Sequence, residues 1–178
     1  MNKRIYHVSK IHDLSIIEPH ICSHDRVYVY SSYHLETALL FGGELWTDWD
    51  FIYKRNYDTG ELTFSETYPN IFRKTFKGKN CSIYELEDSG FLEGQTNMWD
   101  EIVSSNPTKI IREIKINDLA NEIKQLKKNH KIKVELYSNA EDYKEKIKNH
   151  IKNLQKYSDI RNQENSSDLL ENLKEFIN

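Results

Sequence analysis

The sequence predicts an α+β domain made mainly of short strands with few helices, followed by a mainly helical C-terminal extension. Three observations predict it. Runs of alternating residues rich in Val, Ile and Tyr recur at 4–8, 25–32, 81–88 and 109–116. Helical spacing within the first 118 residues is confined to short stretches. Beyond residue 118 the apolar residues change to helical periodicity, separated by polar linkers. With 38% apolar and 12% aromatic residues among 178, the chain can bury a real core.

The elements come in order along the chain. "KRIYHVSK" alternates and supplies a first strand, and Pro19 then falls in a loop. "DRVYVYSS" is the clearest β segment, with Val27 and Val29 on one face and Tyr28 and Tyr30 on the other. In "YHLETALLFGG", Leu35, Ala38 and Leu39 stand at helical spacing, and the two glycines end the helix. Residues 44–80 hold Trp46, Trp49, Phe51 and Tyr53, an Asp-Thr-Gly turn, and a short helix near "NIFRKTF". "CSIYELED", "EIVSS" and "KIIREIKI" read as strands, the last two joined by a turn at Asn106-Pro107. Asn117 or Asp118 caps a helix beginning "DLANEIKQLKKN", and "KIKVELYS" forms a further strand. Two amphipathic segments close the chain, one through Tyr143, Ile147 and Leu154, the other through Leu169, Leu173 and Phe176.

Composition narrows the function classes. A formal net charge of −3 gives no whole-chain signal for nucleic acid. Cys22 and Cys81 fit no metal spacing and no disulfide framework. His20 and His24 stand four residues apart, but no helix is read across them, and with His12 and His34 they give no helical pair of imidazoles, so no metal site is expected. No apolar leader and no membrane-length apolar run occur, so the expectation is a soluble, cytoplasmic protein without a membrane partner. The basic stretch "KEKIKNHIKNLQK" reads as a packed helix with a solvated lysine face.

Three positions carry a more specific pattern. "IYHVS" sets His7 and Ser9 on the first strand, and "VYVYSSYHLETALLF" sets Tyr30 at the end of the second, eleven residues before Phe41. "MWDEIVSSNPTKIIREI" sets Glu101 at the entrance of a late strand. This ordering resembles the His-Tyr-Glu branch of the ADP-ribosyltransferase fold, shared by poly(ADP-ribose) polymerases and diphtheria-type toxins. Where that family has glycine after the histidine, this chain has Val8.

The resemblance implies two small packed sheets with a central cleft over residues 1–118, residues 119–178 forming the extension. It implies NAD as substrate, held by His7, Ser9, Tyr30 and Phe41, with Glu101 as the catalytic carboxylate. His7 would orient a ribose, Tyr30 and Phe41 would sandwich the nicotinamide, and Glu101 would stabilise positive charge on the sugar. Trp99 stands where arginine-directed members carry Gln or Glu, so the expected acceptor is an unknown macromolecule modified at a residue other than arginine. Two alternatives share the fold. One is a non-catalytic nucleotide-binding or protein-interaction module, which Val8 favours. The other is an RNA 2′-phosphotransferase-like enzyme, for which Arg4 and Arg26 are the early-strand arginines.

Overall fold

The computed structural model describes residues 3–21, 26–43, 51–67, 69–88, 90–96, 100–137 and 145. Its centre is the strand Cys81–Leu86, β7, in which every residue but Glu85 is buried. That strand lies between β1 (Ile5–Ser9) and β10 (Thr108–Ile116), both antiparallel to it, and β2 (Ile16–Ile17) completes the order β1-β7-β10-β2. Because side chains alternate across a strand, β7 feeds two cores. Cys81 and Ile83 point into one, Tyr84 and Leu86 into the other.

On the Cys81 side lies a second sheet of β11 (Ile132–Glu135), β6 (Leu62–Glu66) and β5 (Phe51–Arg55), with β11 parallel to β6. Three helices complete this layer: α1 (Leu35–Leu40), α2 (Ile71–Phe76) and α3 (Leu119–Lys128). Phe51, Phe64 and Phe76 form its centre, with Phe51 and Phe76 stacked at 5.7 Å and Phe51 and Phe64 edge-on at 5.5 Å. Burying one such ring contributes roughly 1.5–3 kcal/mol. On the Tyr84 side lies a third sheet, β3-β4-β9-β8, formed by His20–Ile21, Val27–Ser31, Ile102–Ser104 and Leu92–Glu93. Val29 and Ile102 of this sheet meet Ile5, Ile17, Tyr84 and Leu86 of the first.

The α+β class is as expected, with sheets dominating and three short helices among the described residues. Three sheets stand where two were expected. The difference comes from residues 44–80, whose aromatic content hid the hairpin β5–β6. Strands β2, β3 and β8 are two residues each, too short to show a period. Asp118 caps α3 as the sequence suggested, its carboxylate accepting from the Asn121 N–H at 3.0 Å. Beyond the boundary expected at 118, Leu119, Ile123 and Ile132 pack into the same core as Phe64 and Ile83. The two closing amphipathic segments lie outside the described residues, as do Cys22, Trp46, Trp49 and Trp99. No helix among the described residues is long and apolar enough to cross a membrane.

Candidate functional site

β1 and β4 meet at one point and then part. Tyr6 and Ser32 exchange both backbone hydrogen bonds, at 2.8 and 2.9 Å, as an isolated antiparallel bridge. Alternation then decides which backbone groups face the gap. The Tyr6 backbone faces β4, so His7 and Ser9 turn theirs towards β7, while the N–H and C=O of Val8 face the same edge as those of Tyr6. Along β4, the edge towards β1 is met by Tyr6 at Ser32 and by His20 of β3 at Tyr28. Tyr30 lies between these two contacts. The result is a window one residue pair long in the sheet edge.

His7 fills part of that window. Its Nδ1 lies 2.7 Å from the Tyr30 carbonyl oxygen. A carbonyl only accepts, so Nδ1 carries the proton and Nε2 of the neutral ring is left as an acceptor. The side chain is buried, and its pKa falls from 6.5 to about 4. Desolvation is the main cause, opposed by the bond to Tyr30, with the nearby His20 adding a further lowering. The His20 ring stands edge-on to both, 6.4 Å from His7 and 6.0 Å from Tyr30. Tyr28 extends this aromatic row, 5.9 Å from Tyr30. The Tyr30 hydroxyl donates to the Arg26 carbonyl at 2.7 Å, which fixes the plane of its ring.

Ser9, another of the expected residues, accepts from the Ile11 N–H at 3.0 Å, so its hydroxyl shapes the turn after β1. Phe41 caps the C-terminus of α1 and is partly exposed. Its neighbour Gly42 packs against Val8, and a Cβ built there would meet Val8 Cγ2 at 3.2 Å and Cys81 Sγ at 2.8 Å. Val8 therefore sends its side chain into the core shared with α1. Glu101 is half-buried and immediately precedes Ile102, the partner of Ser31. The register continued by one residue sets it across from Ser32.

Asp100 is not the solvated neighbour that a strand-entrance carboxylate suggests. It is buried, and its Oδ2 accepts from Arg55 Nε at 2.8 Å, Arg55 Nη2 at 2.5 Å and the Thr37 hydroxyl at 2.7 Å. The same guanidinium donates to Glu36 and to the Gly60 carbonyl, each at 2.7 Å, and to Thr37 at 2.9 Å. Burial works against the Arg55 charge, but the bonds to Asp100 and Glu36 outweigh it and hold the pKa above its ordinary value. Nothing in the sequence marks this group. Arg55 ends an alternating strand and Asp100 precedes another, and both positions are ordinarily solvated.

A second polar group braces the turn after β1. His12 Nδ1 lies 2.6 Å from Ser82 Oγ, and the Ser82 hydroxyl donates to Glu113. Glu113 also accepts from the Asp13 N–H, and Tyr84 donates to the Ile11 carbonyl at 2.9 Å. The Ser82 bond is the largest cause holding the Glu113 carboxyl below its ordinary range. Asp13, at φ 58, pairs with Lys115 at 2.6 Å across the top of the turn. Among the described residues no group of three or more His, Cys, Asp or Glu is arranged to hold a metal ion.

The class defined by these elements is an α+β protein of three packed sheets with a polar window at the meeting of two of them. No family model, no curated protein and no solved structure matches the chain.

Proposed function

We propose that this protein transfers ADP-ribose from NAD to an acceptor other than arginine, using the window between β1 and β4. The observation that carries the reading is the His7–Tyr30 contact beside the outward-facing backbone of Val8. A primary amide, such as that of nicotinamide, is recognised by one N–H and one C=O on the same strand edge, and the Val8 backbone offers that pair. A neutral imidazole whose Nε2 accepts suits a ribose hydroxyl. Tyr30 offers an aromatic face for the cationic ring. Phe41 would close over the other side of that ring, and Ser9 would keep the end of β1 in place.

In the reaction, the bond between ribose C1′ and the nicotinamide nitrogen breaks and its electron pair leaves with the ring. The pyridinium departs as neutral nicotinamide, so no general acid is needed. Positive charge grows on the ribose, as in glycoside cleavage, and the Glu101 carboxylate would stabilise it. The acceptor nucleophile then bonds to C1′ and releases its proton to solvent.

Substitution Glu101→Gln keeps the shape and removes the charge. NAD affinity measured by calorimetry should stay nearly constant, while nicotinamide release falls by on the order of a hundredfold or more. Equal release by the two proteins would sink the catalytic role.

One observation favours a second reading, a nucleotide-binding module without turnover. The ring of His20 already stands against Tyr30, edge-on at 6.0 Å, where the nicotinamide would need to stack. That reading predicts ADP-ribose binding with no nicotinamide release at any acceptor concentration.

A further inference from the structure

We infer that Asp100 is a positioning residue, clamped by Arg55 and Thr37 so that the entrance to β9 holds the Glu101 carboxylate at a fixed place beside the window. The transferase reading is needed for the kinetic half of this inference, and the structural half stands without it.

Glu101 is half-buried at the entrance of β9. It sits immediately before a strand of only three residues, outside the ladder that β9 forms with β4 and β8. A displacement of a catalytic carboxylate by about 1 Å can cost a hundredfold in rate, so the placement of its backbone matters. The preceding residue anchors that backbone. Asp100 Oδ2 receives three donors from two different elements, Arg55 of β5 and Thr37 of α1. Arg55 has five N–H groups, and bonds to Asp100, Glu36, Thr37 and the Gly60 carbonyl engage Nε, Nη1 and Nη2. Rotating Asp100 away would strip a buried guanidinium of one of its two carboxylates. The peptide joining residues 100 and 101 is thereby tied to the second sheet and to α1 at once.

Glu36 provides the internal contrast. It binds the same guanidinium through Nη1, yet it lies on α1 and is not attached to the backbone of β9. Asp100 accepts two of the guanidinium's bonds and Glu36 one, so their effects on stability can differ, but only Asp100 is joined through the chain to Glu101.

The experiment compares Asp100→Asn with Glu36→Gln in the full chain. Both should lower the melting temperature. Only Asp100→Asn should speed amide hydrogen exchange at Glu101 and Ile102, and only it should lower kcat for nicotinamide release, by about ten- to a hundredfold with KM for NAD within about twofold. Exchange and kcat that move equally in both variants would overturn the inference and leave a structural salt bridge. Should Asp100→Asn fail to fold, Thr37→Val removes one donor to Oδ2 at nearly constant volume, and faster exchange confined to residues 101 and 102 is the expected result. A wild-type protein that releases no nicotinamide would end the transferase reading, while the exchange comparison would still decide the clamp.

Discussion

Two buried polar side chains flank the β4–β9 pair, and they are satisfied in opposite ways. Arg55 is charged, and hydrogen bonds engage all three of its nitrogens, to two carboxylates, a hydroxyl and a carbonyl. His7 is neutral, and it is held by a bond from Nδ1 to one carbonyl at the seam where two sheets part. The first arrangement locks three elements together and has little capacity left for a ligand. The second gives up its charge to be buried and keeps an acceptor for something else. A buried polar group therefore reports its role through the valence that remains, and by that measure the window is the candidate site and the arginine cluster is its frame.

Removing the frame should have the largest effect on stability. Arg55→Met fills similar volume but leaves the buried Asp100 and the half-buried Glu36 without that cation, and breaking such a pair from one side costs about 3–5 kcal/mol. Urea denaturation measures it. A loss under about 1 kcal/mol would mean that water reaches the cluster freely and that the contrast with His7 is wrong.

His7 should show itself in the pH dependence. Its folded-state pKa is lowered from 6.5 to about 4, so the folded protein resists protonation that the unfolded chain accepts. Its contribution is fully present above about pH 6.5 and is lost as pH falls from there towards 4, by up to roughly 3 kcal/mol. Asn keeps an N–H donor near the position of Nδ1 and does not titrate. In His7→Asn the fall in stability across that range should be visibly shallower than in wild type. Parallel curves for the two proteins would show that the imidazole is solvated rather than buried.

The smallest effect calibrates a single hydrogen bond away from both groups. Asp118→Ala removes the cap of α3 and should cost about 1 kcal/mol in the same denaturation measurement. A larger loss would mean that α3, which carries Leu119 and Ile123 into the core, depends on its first turn for docking.

Neighbouring residues determined the local elements. Alternation marked β1, β4, β7 and β10, helical spacing marked α1, the short α2 was expected near "NIFRKTF", and the α3 cap was identified at Asn117 or Asp118, because each depends on neighbours a few residues apart. The site residues came as a set of names through a family resemblance. The resemblance nominates His7, Ser9, Tyr30, Phe41 and Glu101, but nothing local says that β1 and β4 touch at Tyr6 and Ser32 and then diverge. That separation depends on β1 pairing with β7, some 75 residues away, which draws it into a different sheet. The arginine cluster was not legible at all. Arg55 and Asp100 lie 45 positions apart, and each taken alone is an ordinary surface charge at a strand end. Only tertiary packing excludes water from both, and a charge deprived of water must take the nearest opposite charge as its solvent. The fold thus decides that the Asp100 carboxylate is spent on holding the chain, a role its position before β9 does not reveal.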